Sequence, residues 1–177
     1  MCYTLRMAFI APQENTVQKR VQQRRSARLS SRTPKFQEPT IMSGSIALTP
    51  LQFIQSLPGG GAVKKVDFVD RLPGGDNDGY VTYRSPSHIS IRKGVDTSDP
   101  EYLKLLIAHE VGHSIAYSLA NRPDLQKPWG TSGYINNYAK KNSEEDFAET
   151  YAHWVLKRTI PKELKAKIDW LMQNIHQ

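Results

Sequence analysis

The stretch "LIAHEVGHSIAY", residues 106–117, decides how the rest of the chain is read. His109 and His113 are four residues apart, so a helix sets them one turn apart on the same face. Glu110 follows the first histidine and points roughly a quarter turn away, beside that face. Two imidazoles at this spacing suit a Zn²⁺ ion, and an adjacent carboxylate suits removal of a proton from metal-activated water. The ordinary alternative is an amphipathic helix carrying incidental histidines. Ala108, Gly112 and Ser114 weaken it, because these small residues leave space beside the imidazoles. A catalytic zinc takes three protein ligands and keeps one position open. The chain must therefore supply a third.

The helix itself is well marked. Asp99 suits its N-cap, Pro100 its first turn and Glu101 its positive end. Leu103, Ile107, Val111 and Ile115 recur every four residues and make one side apolar. "NRP" at 121–123 is expected to stop it. Upstream, "LTPLQFIQSLP" has helical spacing and "PGGG" ends it. "VKKVDFVDRL", "GYVTYR" and "HISIR" read as three strands, the first two separated by the "PGGDNDG" turn. "HISIR" alternates polar and apolar residues, with Ile89 and Ile91 on one face. It offers a candidate edge on which an extended peptide could add as a strand; an ordinary sheet strand is the competing reading. Downstream, "SEEDFAETYAHWVLKR" reads as a second helix, capped by Ser143 with Asp146 in the capping-box position. Pro161 opens a third, with Leu164, Ile168, Leu171 and Ile175 as its apolar stripe. The expected class is α+β: a short mixed or antiparallel sheet, the "HEVGH" helix, a glutamate-bearing helix and a C-terminal helix.

The second helix holds the candidates for the third ligand. Glu145 and Glu149 lie one turn apart on one face, whereas Glu144 and Asp146 fall to the sides as a charged first turn. Glu145 could bind zinc, and Glu149 could accept a hydrogen bond from the far nitrogen of a ligand histidine and so fix its tautomer. A solvated acidic face is the alternative for both. His153 continues the stripe and is expected to pack or hydrogen-bond without ligating. No histidine follows "HEVGH" at the spacing of H-E-x-x-H-x-x-G-x-x-H, which excludes the metzincin pattern.

The charge is unevenly spread. Of the formal net charge of +7, residues 1–41 carry +6, with eight Lys or Arg against two Glu. This arm is rich in Arg, Gln and Ser and poor in large apolar residues, a composition expected to be disordered alone. A transit peptide, an import signal, a nucleic-acid-binding tail and a plain solvated extension all fit it. Residues 42–177 are nearly neutral and form the expected domain, so nucleic acid is a partner only through the arm. The single cysteine, Cys2, excludes a disulfide framework and a Cys-based zinc finger. No apolar run approaches the roughly 20 residues that span a bilayer, and the N-terminus makes a poor secretory signal. A soluble monomer without a membrane partner is expected, its location open.

"HEVGH" followed by "YAKKNSEEDFAET" resembles the gluzincin peptidases that include the protease domain of anthrax lethal factor and the secreted Pro-Pro endopeptidases. In that group a tyrosine lies seven residues before the glutamate ligand, in a phrase ending in -F-A-E-. Here Tyr138 lies seven before Glu145, and "DFAE" runs from 146 to 149. The resemblance covers roughly residues 80–158. It implies a zincin-like domain and a zinc endopeptidase binding one Zn²⁺ through His109, His113 and Glu145, with Glu110 as general base. It also implies Tyr138 as the oxyanion's partner and a protein or peptide as substrate. A toxin, effector or regulatory protease would fit. Nothing matches the large docking domains of lethal factor, so substrate choice does not carry over. The ImmA/IrrE-like peptidases also pair H-E-x-G-H with a downstream glutamate, but the spacing of Tyr138 favours the first group. A nucleic-acid-associated protein using its arm is the alternative from another class. A pseudo-enzyme with a structural zinc would have no use for Glu110.

Overall fold

In the computed structural model, residues 36–73, 75, 77–120, 129–130 and 133–175 are described. Two compact units divide after Phe36, and the second, Gln37–Gln177, carries all the elements below. Residues 1–35 of the basic arm and the "NRP" at 121–123 lie outside the described residues.

A hairpin absent from the sequence reading opens the unit: β1 (Ile41–Ser43) pairs antiparallel with β2 (Ile46–Leu48) around Gly44, whose φ is +62°. Three-residue strands carry too little alternation to be seen as periodic. Ile41 is 2% exposed and belongs to the hydrophobic core, so the folded part begins before Met42, where the expected boundary fell. Helix α1 (Pro50–Gln55) starts with a capping box between Thr49 and Gln52 and is followed by a 3-10 turn at Gly60–Ala62.

The three expected strands form one mixed sheet: β3 (Lys65–Val69), β4 (Gly79–Thr82) and β5 (Ser85–Arg92). Their order is β3-β5-β4, with β3 parallel and β4 antiparallel to β5. "HISIR" is thus in the middle of the sheet, hydrogen-bonded on both sides, and cannot accept an added strand. The expectation of an edge there is corrected, and β3 and β4 are the edges. Ile89 and Ile91 are fully buried, as the alternation required.

Helix α2 (Pro100–Ser118) is capped by Asp99, whose side chain accepts the N–H groups of Glu101 and Tyr102. Burial extends beyond its Leu103–Ile107–Val111–Ile115 side to Ala108, His109, Glu110, Gly112 and Ser114. It lies between the sheet and helix α3 (Ser143–Val155), and Ser114 Oγ donates to Pro86 O at 2.5 Å, tying it to β5. The N-cap of α3 is Asn142, not Ser143: its backbone is extended and its Oδ1 accepts the Glu145 N–H at 2.8 Å. A 3-10 turn (Lys162–Leu164) leads into α4 (Lys165–Asn174), where Leu164 and Leu171 are fully buried and Ile175, just beyond, is nearly so. Behind α3, Phe147 packs edge-on against Trp129 and Trp170, with ring centroids 4.8 and 6.0 Å away. The described residues form a mixed α/β architecture of small sheets and four helices, compatible with the α+β class. Among the described residues no helix is long and apolar enough to cross a membrane.

Candidate metal centre

Gly112 and Ala148 bring the two helices of the centre together. A Cβ on Gly112 would stand 2.6 Å from Ala148 Cα, so only glycine permits this approach. The crossing sets α3 residues on either side of Ala148 against the imidazoles of α2. Glu145 and Glu149, three residues before and one after it, face His109 and His113.

Three ligand-type atoms converge there. His109 Nε2 and His113 Nε2 are 3.0 Å apart, and Glu145 Oε2 lies 3.2 Å from the first and 3.3 Å from the second. Ligands of a tetrahedral Zn²⁺, each about 2.0 to 2.1 Å from the ion, stand about 3.3 to 3.4 Å from one another. The triangle thus has nearly the dimensions of one face of that tetrahedron. Glu145 Oε2 is buried and makes no hydrogen bond, an orphaned acceptor that a cation would satisfy. His109, His113 and Glu145 are the one group of this kind among the described residues that could hold a metal ion.

Glu149 lies on the other side of His109 from the triangle. Its Oε1 lies 2.7 Å from His109 Nδ1, on the far side of the ring from Nε2. Burial disfavours a charge on His109, but Glu145 and Glu149 outweigh it and raise its pKa to about 9. The two carboxylates favour a positive charge at this spot, which a proton or a divalent cation can supply. Burial also works against ionised Glu145 and Glu149, yet the neighbouring imidazoles hold both below the usual carboxylate range. His153 donates through Nδ1–H to Glu149 O at 2.9 Å and takes no part in the triangle.

Glu110 is 4% exposed and its Oε2 has no hydrogen-bond partner. Burial raises its pKa, Glu145 adds to the rise, and the two imidazoles oppose it. Gly79, the first residue of β4, makes room for it: a Cβ there would stand 2.6 Å from Glu110 Cδ. The start of β4 is itself pinned, because Asp78 accepts hydrogen bonds from Tyr102 Oη at 2.5 Å and from the Arg92 guanidinium. Glu110 therefore sits in a slot whose width depends on a glycine that sequence reasoning had placed only as a strand start.

The centre opens into a cleft of about 540 Å³, walled by Tyr80 and Val81 on one side and Leu106 and Tyr117 on another. Tyr138 lines it as well. Its ring lies edge-on to His109, with centroids 5.8 Å apart, and the residue is 42% exposed. Lys141 Nζ covers the ring, 3.4 Å from its centroid. Tyr134, the other tyrosine of this loop, lies elsewhere, with its ring centroid 4.9 Å from Lys167 Nζ.

All six sequence-derived site residues (His109, Glu110, His113, Tyr138, Glu145 and Glu149) line this one cleft. Asp146 was misread. It is an acid of the first turn of α3, but it is neither solvated nor a capping-box partner: it is fully buried and paired with Lys167 at 2.5 Å. Lys167 and Asn136 were not singled out at all. No local pattern marks either, since both act through partners distant in the chain. Comparisons of the chain with protein-family models, curated proteins and solved structures returned no match.

Proposed function

We propose that this chain is a zinc-dependent endopeptidase of the gluzincin type, built on a zincin-like domain. One observation carries the proposal. The Nε2 atoms of His109 and His113 and the Oε2 atom of Glu145 meet at 3.0–3.3 Å, at the floor of an open cleft that also contains the buried Glu110. A purely structural site would need neither the opening nor the extra carboxylate.

His109, His113 and Glu145 would hold the ion. Bound zinc would supply Lewis acidity, lowering the pKa of water toward about 7 and polarising the substrate carbonyl. Glu110 accepts the proton of the attacking water, a role suited to a carboxyl that is buried in the cleft and whose Oε2 has no hydrogen-bond partner. It then returns that proton to the leaving amine. Tyr138 stands beside His109 at the cleft surface, where its phenol can donate to the negative charge developing on the carbonyl oxygen. That position also favours the lethal-factor-like group over the ImmA/IrrE-like one. Glu149 stands at the Nδ1 side of His109, which would leave Nε2 to hold the ion.

The edge of the sheet beside the cleft is β4, and its residues Gly79, Tyr80 and Val81 line the cleft. An extended peptide added along β4 would place a backbone carbonyl near Glu110, the substrate mode that best suits this wall.

The test joins elemental analysis to cleavage of a peptide library with a chelator control. The protein should contain one zinc, and Glu145→Ala should lose affinity for it. Glu110→Gln should keep zinc and fold while losing turnover. Stoichiometric zinc at unchanged affinity in Glu145→Ala would exclude the third ligand, and undiminished cleavage by Glu110→Gln would exclude the base.

A further inference from the structure

Asn136 makes two hydrogen bonds that link otherwise separate parts of the site. Its Oδ1 accepts the Ala139 N–H at 2.9 Å, closing the start of the 3-10 turn Tyr138–Lys140. Its Nδ2 donates to Glu149 Oε2 at 2.5 Å. The other oxygen of Glu149 is the one that faces His109 Nδ1, at 2.7 Å. Two hydrogen bonds and one close ionic contact therefore run from the Tyr138 turn through Asn136 and Glu149 to His109.

The chemistry of the line fixes the orientation of the amide. With its ends exchanged, Asn136 would set an oxygen against the Glu149 carboxylate and an NH₂ group against the Ala139 N–H. Both contacts would be repulsive. Only a short side chain carrying one donor and one acceptor satisfies both partners. Aspartate would keep the acceptor for Ala139 but lose the donor and oppose a carboxylate with another. Alanine would lose both bonds. Among the described residues Asn136 is the one hydrogen-bond partner of Glu149 Oε2, so the plane of that carboxylate depends on it.

From this geometry we infer that Asn136 is a positioning residue for the metal centre: it orients Glu149, and through it His109, while anchoring the turn that carries Tyr138. The inference rests on the metal-centre reading above. A group that holds a ligand histidine from outside, as Glu149 does for His109, is worth about 10- to 100-fold in metal affinity when removed; Asn136 acts one hydrogen bond further out. Asn136 thereby couples the affinity for the ion to the placement of the phenol, two properties that the sequence pattern treats as unrelated.

The experiment measures Zn²⁺ affinity by competition with a chromogenic chelator, in the full chain, for wild type, Asn136→Asp, Glu149→Gln and the Asn136→Asp/Glu149→Gln double variant. Asn137→Ala serves as the neighbouring control, since among the described residues Asn137 Oδ1 accepts its hydrogen bond from the exposed Lys140 Nζ, at 2.9 Å. Glu149→Gln should bind zinc about 10- to 100-fold more weakly than wild type and Asn136→Asp about 10-fold more weakly, while Asn137→Ala should match wild type. The double variant exchanges donor and acceptor, so that the glutamine amide can donate to the new carboxylate. It should recover part of the loss and bind more tightly than Asn136→Asp. A residue that merely capped the turn would leave Asn136→Asp unaffected, because the acceptor for Ala139 is retained. Wild-type affinity in Asn136→Asp, or losses that multiply independently in the double variant, would overturn the inference while the metal centre stood. A wild-type protein that failed to bind zinc would instead overturn the centre itself, and this inference with it.

Discussion

Replacing Lys167 with methionine removes a cation that the fold has enclosed completely. The side chains of Lys167 and Asp146 are 4% and 0% exposed, and Nζ lies 2.5 Å from Asp146 Oδ2. The ammonium also donates to Gly133 O at 2.5 Å and faces the rings of Tyr134 and Trp129. Asp146 Oδ2 accepts one further bond, from Gly130 N–H at 2.9 Å. After Lys167→Met, among the described residues that backbone donor and a long contact from Thr150 would be left to support a carboxylate out of reach of water. Breaking a buried pair in this way costs about 3 to 5 kcal/mol, largely the penalty of the stranded charge. For a unit of this size that is roughly 10 to 20 °C in Tm, and a large share of a typical stability of about 5 to 15 kcal/mol. Asp146→Leu should cost a similar amount by stranding the ammonium. The double variant removes both charges and keeps approximate volume, so it should be much less destabilised than the sum of the singles. Urea unfolding of all four proteins gives the coupling energy. Singles within 1 kcal/mol of wild type, or a double variant whose loss equals the sum, would refute the reasoning.

The placement of the two loop tyrosines separates chemistry from packing. Tyr138→Phe should lower kcat about 10²- to 10³-fold with zinc content unchanged, whereas Tyr134→Phe should leave kcat close to wild type; equal effects in a peptide-cleavage assay would remove the oxyanion role. Acid stability should report on Asp78, whose pKa is held low by its hydrogen bond to Tyr102 and by Arg92, against the effect of burial. A depressed folded-state pKa contributes stability above the unfolded value of about 3.9, and the contribution is lost as pH falls through the lower folded value. Asp78→Asn should therefore be less stable at pH 7 and show a smaller drop below about pH 4, a difference that denaturation between pH 2 and 7 measures. A chain starting at Gln37 should melt like the full chain, while one starting at Met42 loses Ile41, the core residue opposite Leu48 in the hairpin. The second truncation should cost about 2 to 5 kcal/mol, as other losses of a buried isoleucine do, and identical melting curves would count against it.

The parts legible in advance are those whose geometry is local. The spacing of His109 and His113, the Asp99 cap and the buried stripe of α2 all follow from a helix repeating every 3.6 residues. Strand alternation likewise located β3, β4 and β5, and buried Ile89 and Ile91. Alternation carries no information about lateral neighbours, however. It could not tell that "HISIR" lies between two strands, because a strand's hydrogen-bond partners are chosen when the sheet assembles.

The same limit separates Glu145 from Asp146. Both are acids in the first turn of α3, and a helix dipole favours them alike. The close crossing at Gly112 and Ala148 turns Glu145 toward two imidazoles, while α4 brings Lys167 to Asp146 from 21 residues away. Asn136 was illegible for the same reason, since half of its role is an oxygen on Glu149, 13 residues on. The sequence by itself determined which residue types lie on which face of which element, because rotation per residue is a property of the backbone. Tertiary structure alone decided which of those faces meet, because contacts between elements depend on how closely their backbones can approach.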